Sequence, residues 1–367
     1  MNDRHSTTRR GFAKTVAATA LGAWTAAPSA AAEKPRVALA LLGAAHIHTP
    51  IFLQMLQSRD DVRIVHVWDH DAGRAERWAR QCNARPARSV QEVLSDRDVA
   101  GVVVLSETLL HADLAIAAAK AKKHLFVEKP LGVGAADASQ IAEAVEKSGV
   151  LFTTGYHLRT VPKYLFIKEN LAKGHFGKIV RAHCSVTNDC VLQGAFDNEF
   201  RWTTDRKWGA LGGFADLGTH ALDALMWMLG DVESVAAEVR TVTNRYPNCD
   251  ETGQAMIRFA SGATGTIAAG WVEPDNPVSF SIVGTEGHAV VFNDRLHLRT
   301  KKVPGADGAR PWGKLPPGPD HPLLQFVGAV SGEKNLPLVS AREAAARVKV
   351  MEAMYLAARE RKWVTVA

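Results

Sequence analysis

The stretch "LFVEKPLG", residues 125–132, ends an apolar, strand-like run in a carboxylate and an ammonium group. A lysine at such a place can hold positive charge beside a reacting oxygen or exchange a proton with it. Pro130 biases Lys129 toward an extended backbone, and the bond between them is one of the few that adopt the cis form. The alternative interpretation of Lys129 is a solvated strand end.

A second group of candidate residues lies in "GGFADLGTH", residues 212–220, where Asp216 and His220 are four positions apart. On a helix this spacing places both side chains on one face. An imidazole titrates near neutral pH and accepts protons readily, while Asp216 can orient it or bind a hydroxyl group. The alternative is a helix-terminal carboxylate near an unrelated core histidine. Asp223, about 60° around the helix from His220, is predicted to be structural.

Apolar runs alternate with helical segments in the first half of the chain. The predicted strands are 36–43, 62–69, 99–106 and 124–129, and the predicted helices are 48–58, 71–81 and 111–123. Strands without polar alternation, separated by helices, predict a parallel sheet covered on both faces. Ligands of such doubly wound sheets bind beyond the carboxyl ends of the strands, where the charged and small residues of this chain lie.

The first of these strand ends carries an imperfect dinucleotide fingerprint. "GAAHIH", residues 43–48, has alanine and histidine in place of the second and third glycines of GxGxxG. The helix N-terminus still offers N–H groups to a phosphate. Asp69, 26 residues after Gly43, suits an adenosine ribose and would repel a 2′-phosphate, which favours NAD while leaving NADP possible. The predicted cofactor contacts are Gly43, Ala44, Ala45, His46, Asp69, Ser106, Glu128 and Lys129.

The two histidines of this turn, His46 and His48, are open to other interpretations. They could be metal ligands or could cap the following helix. Our prediction from the sequence is that the chain holds no metal.

Composition places the chain among ordinary globular proteins. Its 367 residues are enough for two domains, 47% are hydrophobic and 22% are charged. The formal net charge is +6, but no basic stripe is interleaved with aromatic residues, so we expect no nucleic-acid partner. Four cysteines permit disulfides, although four unpaired thiols are the simpler expectation.

The N-terminus has the order of an export signal. "TTRRGFAK", residues 7–14, precedes an uncharged, alanine-rich stretch over 16–32. The arginine pair resembles a twin-arginine signal, which predicts a leader over 1–32, the twin-arginine machinery as a partner and a periplasmic or otherwise exported protein. The uncharged stretch is short for a permanent membrane span. The alternative is a disordered basic tail on a cytoplasmic protein.

Two motifs resemble one family of enzymes. "HLFVEKPLG" is similar to the Glu-Lys-Pro signature of the glucose–fructose oxidoreductase / inositol dehydrogenase / rhizopine catabolism (Gfo/Idh/MocA) family. "GGFADLGTHALDALMWMLG", residues 212–230, resembles its second signature. Residues 155–180 resemble its interdomain segment, and residues 340–366 resemble its final helix and tail.

This resemblance implies a two-domain architecture. An α/β NAD(P)-binding Rossmann domain is expected over 33–155. An α+β domain with an open, mostly antiparallel sheet is expected over 156–367, with the helix at 340–361 packing back on the Rossmann domain. The alternating, glycine-punctuated runs after residue 177 agree with antiparallel strands, and helices at 213–229 and 321–331 interrupt them. The open sheet implies a homo-oligomer.

The resemblance also implies the chemistry. A hydride would move between a sugar- or polyol-type hydroxyl and a tightly held nicotinamide, with Lys129 and His220 in acid/base roles and Asp216 beside them. Partial burial and a positively charged nicotinamide would lower the pKa of Lys129. Further residues expected to line the substrate cleft are Tyr156, His157 and Arg159. Two tryptophans, Trp202 and Trp208, could stack on a sugar, although packing is the preferred interpretation.

Export raises the question of how the nucleotide is retained. No N-terminal arm is expected here, because only residues 33–35 separate the predicted cleavage site from the first strand. An exported member of this family must recycle its cofactor in place. It could couple two substrates, or it could be an NAD-dependent glycoside hydrolase that borrows and returns the hydride through a transient keto sugar. A non-catalytic dinucleotide- or sugar-binding protein is the third hypothesis.

Overall fold

The apolar runs of the first half form one parallel, six-stranded sheet. A computed structural model describes residues 37–209 and 211–366, so the predicted leader over 1–32 lies outside the described residues. The strands are β1 (Val37–Leu42), β2 (Val62–Trp68), β3 (Arg85–Pro86), β4 (Gly101–Val104), β5 (His124–Val127) and β6 (Phe152–Thr154). The helices are α1 (Thr49–Gln57), α2 (Ala72–Gln81), α3 (Val90–Ser95), α4 (His111–Lys120) and α5 (Ala135–Ser148).

The order of the strands is β3-β2-β1-β4-β5-β6. This is the doubly wound Rossmann order, and its direction reverses between β1 and β4, where such folds bind their ligands. Residues 39–42 of β1 and 102–104 of β4 have no exposed surface, because helices cover both faces of the sheet. The predicted α/β fold of the first half is therefore confirmed.

The second half forms a nine-stranded sheet. Its strands are β7 (Ile179–Thr187), β8 (Val232–Arg240), β9 (Thr252–Phe259), β10 (Thr264–Gly270), β11 (Val278–Gly284), β12 (Gly287–Phe292), β13 (Arg295–Thr300), β14 (Asp307–Pro311) and β15 (Val364–Thr365). Their order is β14-β13-β12-β11-β7-β10-β9-β8-β15, and β7 with β10 is the parallel pair. The remaining helices are α6 (Pro162–Ala172), α7 (Gly213–Leu229), α8 (Pro322–Val330) and α9 (Ala341–Glu360).

One face of this second sheet is covered and the other is open. The helix α7 packs against β7, β9 and β10. On the opposite face Val180, Met256 and Phe292 are 49%, 53% and 46% exposed. A row of exposed apolar side chains on a sheet is typical of a contact surface, and the homo-oligomer stays a prediction.

The described residues contain neither a helix suited to crossing a membrane nor a disulfide bond. Within 37–209 and 211–366, no helix combines the length and apolar character that crossing a membrane requires. The cysteines Cys82, Cys184, Cys190 and Cys249 are unpaired thiols.

The helix α9 belongs to both hydrophobic cores. Its first half, with Ala344 and Val348, packs into the core of the parallel sheet, and its second half, with Met351 and Met354, packs into the core of the antiparallel sheet. A capping box at Ser340 begins the helix, since the side chain of Ser340 accepts from the backbone N–H of Glu343, the third helical residue, and the carboxylate of Glu343 accepts from the backbone N–H of Ser340 in return.

A buried ion cluster ties α9 to α7. Asp223, with no exposed surface, accepts hydrogen bonds from Arg159 at 2.6 and 2.9 Å and from Arg347 at 2.9 Å. Two guanidinium groups around one carboxylate are stable inside a protein only while their hydrogen bonds are made. Asp223 is therefore a structural residue, as its position on the helix predicts.

Replacing Asp223 with asparagine should destabilise the fold by about 3–5 kcal/mol, because Arg347 loses its buried counter-charge and Arg159 keeps only the carboxylate of Glu343, at 3.1 Å. Urea unfolding followed by circular dichroism measures the change. The matched control is Glu146→Gln, which removes a carboxylate from the surface pair with Arg342 and should leave the midpoint nearly unchanged. Equal midpoints for the two variants would contradict the structural role of Asp223.

Candidate functional site

The turn after β1 has the geometry of a phosphate-binding loop. Gly43 has φ +83°, and a Cβ there would lie 2.4 Å from the Cβ of Ser106, so only glycine fits. Among the described residues, the backbone N–H groups of Ala45 and Ile47 have no hydrogen-bond partner. These two donors precede α1 and are available to an anion such as a pyrophosphate.

Asp69 lies where an adenosine ribose would bind, but it is already paired. Its carboxylate accepts the N–H of Ala44 at 2.8 Å and two hydrogen bonds from Arg74, each at 2.7 Å. Arg74 also donates to Glu107 at 2.8 Å. The two carboxylates and one guanidinium leave a net charge of −1, which still disfavours a 2′-phosphate. The sequence analysis missed Arg74 and Glu107, although Glu107 directly follows the strand-end residue Ser106.

Glu128 is buried at the end of β5 and is surrounded by polar groups. One carboxylate oxygen accepts the N–H of Lys129 at 2.6 Å. The other accepts from Nδ1 of His48 and lies 3.6 Å from Nδ1 of His46. Burial acts to raise the pKa of Glu128, but these imidazoles and Lys129 hold it well below its usual range. Burial lowers the pKa of His46 to about 3, so its imidazole is neutral at neutral pH.

An ion pair joins the two domains at the centre of the site. Nζ of Lys129 donates to Oδ1 of Asp216 at 2.5 Å and to its backbone carbonyl at 3.3 Å. Oδ2 of Asp216 accepts from the indole of Trp271 at 3.1 Å. The bond between Lys129 and Pro130 is cis.

The expectation that the pKa of Lys129 is lowered is wrong for the protein by itself. Burial does disfavour the charged amine, but the carboxylates of Asp216 and Glu128 outweigh it and raise the pKa above the ordinary lysine value. Lys129 is therefore an ammonium group at neutral pH.

The start of α7 is built to hold Asp216 in place. Gly212 has φ +140°, and a Cβ there would lie 2.4 Å from the carbonyl oxygen of Asp250. The carboxylate of Asp250 accepts the N–H of Phe214 and the hydroxyl of Tyr355, each at 2.8 Å. Burial raises the pKa of Asp250 to about 6. The glycine pair of the "GGFAD" segment is thus explained by close packing against this capping aspartate.

His220 lies one turn after Asp216 on α7 and is buried. Among the described residues its Nδ1 has no hydrogen-bond partner. Its ring is 4.5 Å from that of His157 and 6.2 Å from that of Tyr156, centroid to centroid. Burial, then the positive charge of Lys129, puts the pKa of His220 well below its usual range. A neutral imidazole of this kind can accept a proton.

The three predicted substrate contacts have different surroundings. Burial and then Lys129 lower the pKa of His157 to about 4. Tyr156 is 1% exposed, and its hydroxyl lies 3.2 Å from that of Thr219. The guanidinium of Arg159 is held by Asp223, as described above. Arg159 and Tyr156 line a separate cavity of 250 Å³, so Arg159 positions helices in this structure.

A cavity of 510 Å³ lies between the two domains. Its lining includes Lys129, Asp216 and His46, and it also includes residues that the sequence analysis missed: Thr108, Thr219 and Trp271. His220 does not line it. A pocket of this size, with an ion pair on its wall and a nucleotide turn beside it, suits a small polar substrate.

A segment of the second domain, residues 199–208, reaches over the nucleotide turn; we call it the clasp. The indole of Trp202 donates to the carbonyl of Ala45 at 2.9 Å. Trp208 stacks on His70, with ring centroids 5.2 Å apart. An ion pair between Glu199 and Arg77 adds a third contact. Both tryptophans therefore pack on the Rossmann domain.

The chain is similar to known oxidoreductases along most of its length. The profile described as "Oxidoreductase family, NAD-binding Rossmann fold" matches residues 37–156, and that of the GFO/IDH/MocA C-terminal domain matches residues 164–290. The scyllo-inositol 2-dehydrogenase (NAD(+)) of Bacillus subtilis is 30% identical over 258 residues, which are 69% of this chain and 72% of that protein.

Two further relatives illustrate the range of similarity. The levoglucosan dehydrogenase of Pseudarthrobacter phenanthrenivorans is 25% identical over 258 residues, which are 63% of this chain and 65% of that protein. The chain thus spans about two thirds of the length of these curated relatives. The WlbA dehydrogenase of Bordetella pertussis, solved with NADH and UDP-GlcNAcA, has a TM-score of 0.77 at 22% identity over 90% of this chain and 98% of that chain. This last likeness concerns the fold.

Replacing Asp216 with asparagine should lower stability at pH 7 by on the order of 2 kcal/mol, because Lys129 is left buried without its carboxylate. Burial alone would raise the pKa of Asp216, but Lys129 holds it below the ordinary value. The stabilisation is therefore complete above the unfolded pKa of about 3.9 and is lost as the pH falls through the folded pKa.

The measurement is a series of urea unfolding midpoints between pH 7 and pH 3. The gap between the wild type and the Asp216→Asn variant should begin to narrow below about pH 4, because the carboxyl group is protonated there in the unfolded state while the folded state still holds it charged. Asp294→Asn, which alters an exposed pair with Lys163, is the control and should show no such trend. A constant gap across the series would contradict the ion-pair explanation.

Proposed function

Since the chain belongs to the Gfo/Idh/MocA family of oxidoreductases with an NAD-binding Rossmann domain, we propose that it moves a hydride between a sugar- or polyol-type hydroxyl and a nicotinamide. The observation that carries the proposal is the Lys129–Asp216 ion pair on the wall of the interdomain cavity. Relatives whose names specify scyllo-inositol, levoglucosan and 1,5-anhydro-D-fructose support a substrate of this class.

In the proposed reaction the role of each residue follows from its charge. When bound, the nicotinamide accepts the two electrons and the hydrogen of the substrate C–H bond. Lys129, an ammonium group, stabilises the negative charge that develops on the substrate oxygen. His220, a neutral imidazole next to the cavity-lining residue Thr219 although it does not itself line the cavity, is the proposed acceptor of the hydroxyl proton, so that a carbonyl group is left. Asp216 is a positioning residue, because it aims the lysine through a hydrogen bond of 2.5 Å.

The acid/base proposal predicts that Lys129→Met loses at least about 100-fold in kcat while nucleotide binding survives. The assay follows nucleotide absorbance with a panel of inositols, aldoses and anhydrosugars, and nucleotide binding is measured by protein fluorescence. Lys178→Met, at an exposed lysine before β7, is the matched control and should keep wild-type turnover.

Two outcomes would change the assignment. A fully active Lys129→Met variant would contradict the proposed mechanism. Release of an aglycone from a glycoside substrate, with no net change in nucleotide absorbance, would favour the redox-neutral glycosidase over the dehydrogenase.

We also propose that the protein is exported by the twin-arginine pathway with its nucleotide already bound. The paired arginines of "TTRRGFAK" support the export route. The clasp supports retention, since its contacts lie over the loop that would hold the pyrophosphate, where they would hinder release of the nucleotide. The clasp would thus retain the nucleotide in place of an N-terminal arm.

The retention proposal predicts that protein purified from the exported fraction carries near-stoichiometric NAD, identified after denaturation by absorbance and mass. Trp202→Ala should release the nucleotide roughly 5- to 10-fold faster, since a hydrogen bond and its packing are worth about 1 kcal/mol or slightly more. Trp363→Ala, at a 38% exposed tryptophan near the end of the chain, is the control. Empty wild-type protein, or equal release rates in the two variants, would contradict retention by the clasp.

A further inference from the structure

The buried carboxylate of Glu128 has two imidazoles at one of its oxygens, and no ammonium or guanidinium group among the described residues donates a hydrogen bond to it. Its second oxygen accepts the backbone N–H of Lys129 at 2.6 Å. The ammonium group of Lys129 hydrogen-bonds to Asp216 instead. The first oxygen of Glu128 contacts Nδ1 of His48 and lies 3.6 Å from Nδ1 of His46. A buried carboxylate is stable only when its charge is compensated.

Three ligand-type atoms converge at this point. His46, His48 and Glu128 each offer one possible ligand atom, and these three atoms all lie within 4.8 Å of one another. Around a tetrahedral ion with metal–ligand distances of about 2.1 Å, ligand atoms stand roughly 3.4 Å apart. The separation of 3.6 Å between Nδ1 of His46 and Glu128 is close to that value. Ligation by these atoms requires the His48–Glu128 contact to lengthen, and Nδ1 of His46 to exchange the backbone N–H of His48, which it accepts at 3.2 Å, for the metal.

We propose that His46, His48 and Glu128 bind a divalent transition-metal ion. Two imidazoles and a carboxylate are a donor set suited to zinc, which among first-row metals combines high affinity with tetrahedral coordination. Three protein ligands leave a coordination position free. His46 lines the cavity that Lys129 and Asp216 also line, so the free position is expected to face that cavity.

The alternative occupant of the site is a proton shared between His48 and Glu128. A single histidine would be enough for such a hydrogen bond, whereas here a second imidazole, on the 6% exposed residue His46, lies beside the same oxygen. The local charge also favours a cation. Glu128 and Asp216 carry two negative charges against the single positive charge of Lys129, so a net charge of −1 remains that a bound cation would offset.

The sequence provides a second indication. His48 stands at the third glycine position of the dinucleotide fingerprint, where a small residue allows close packing of helix and strand. In this chain the position carries a side chain whose Nδ1 reaches the carboxylate at the end of β5. The inference concerns metal binding alone and holds whether or not the proposed hydride transfer occurs.

Metal binding by the chelator-stripped full chain tests the proposal without any activity assay. Zinc is titrated in competition with a chromophoric chelator, and cobalt is titrated while its visible absorption is recorded. One ion per chain is expected, with cobalt bands typical of four- or five-coordinate sites. His48→Asn and Glu128→Gln should each weaken zinc binding by at least about 100-fold, the upper end of what even outer-shell changes produce.

His183→Asn is the matched control, because it removes a partly exposed histidine of β7 that pairs with Thr266 and should bind zinc like the wild type. Circular dichroism confirms that each variant is folded, and the isosteric Glu128→Gln change covers the case in which His48→Asn is not. Zinc binding that is absent from the wild type, or equal in the wild type and both site variants, would overturn the proposal. Failure of the hydride-transfer assay has no bearing on this result.

Discussion

The ion pair between Lys129 and Asp216 is the interaction on which the arrangement of the site depends. It joins the end of β5 in the first domain to the start of α7 in the second, over a hydrogen bond of 2.5 Å. Each partner is held independently, Lys129 by the turn before Pro130 and Asp216 by the indole of Trp271 and the capping of α7 by Asp250. Because both anchors belong to different domains, the pair fixes the interdomain cavity as well as the charge of the lysine.

Burial and charge act in opposite directions on neighbouring groups of this site. His46 and His220 are neutral because desolvation disfavours their charged forms and Lys129 adds to the effect. Lys129 experiences the same desolvation, but two carboxylates overcome it. The result is a charged ammonium group next to neutral imidazoles, which is the charge distribution that the proposed acid/base roles require.

Much of the fold could be predicted from the sequence, since the pattern of the apolar residues indicates the strands and the helices between them imply that the strands are parallel. Lys129, Asp216 and Asp69 were found because each lies at the end of an element with a recognisable pattern. The pairing of Asp69 with Arg74, and the contact of Trp202 with the nucleotide turn, could not be predicted. Both depend on side-chain directions or on contacts across more than 150 residues, for which local periodicity carries no information. The pKa of Lys129 was predicted with the wrong sign for the same reason, because its partner on α7 is 87 residues away.

The position of α9 has a consequence for how the protein is made. This helix comes after every strand of the first domain in the chain, yet Ala344 and Val348 complete the core of that domain, and Met351 and Met354 complete that of the second. Neither core can finish burying its apolar surface before this helix has been synthesised. Completion of both cores therefore depends on the same helix, which suits a protein whose proposed export route accepts only folded cargo.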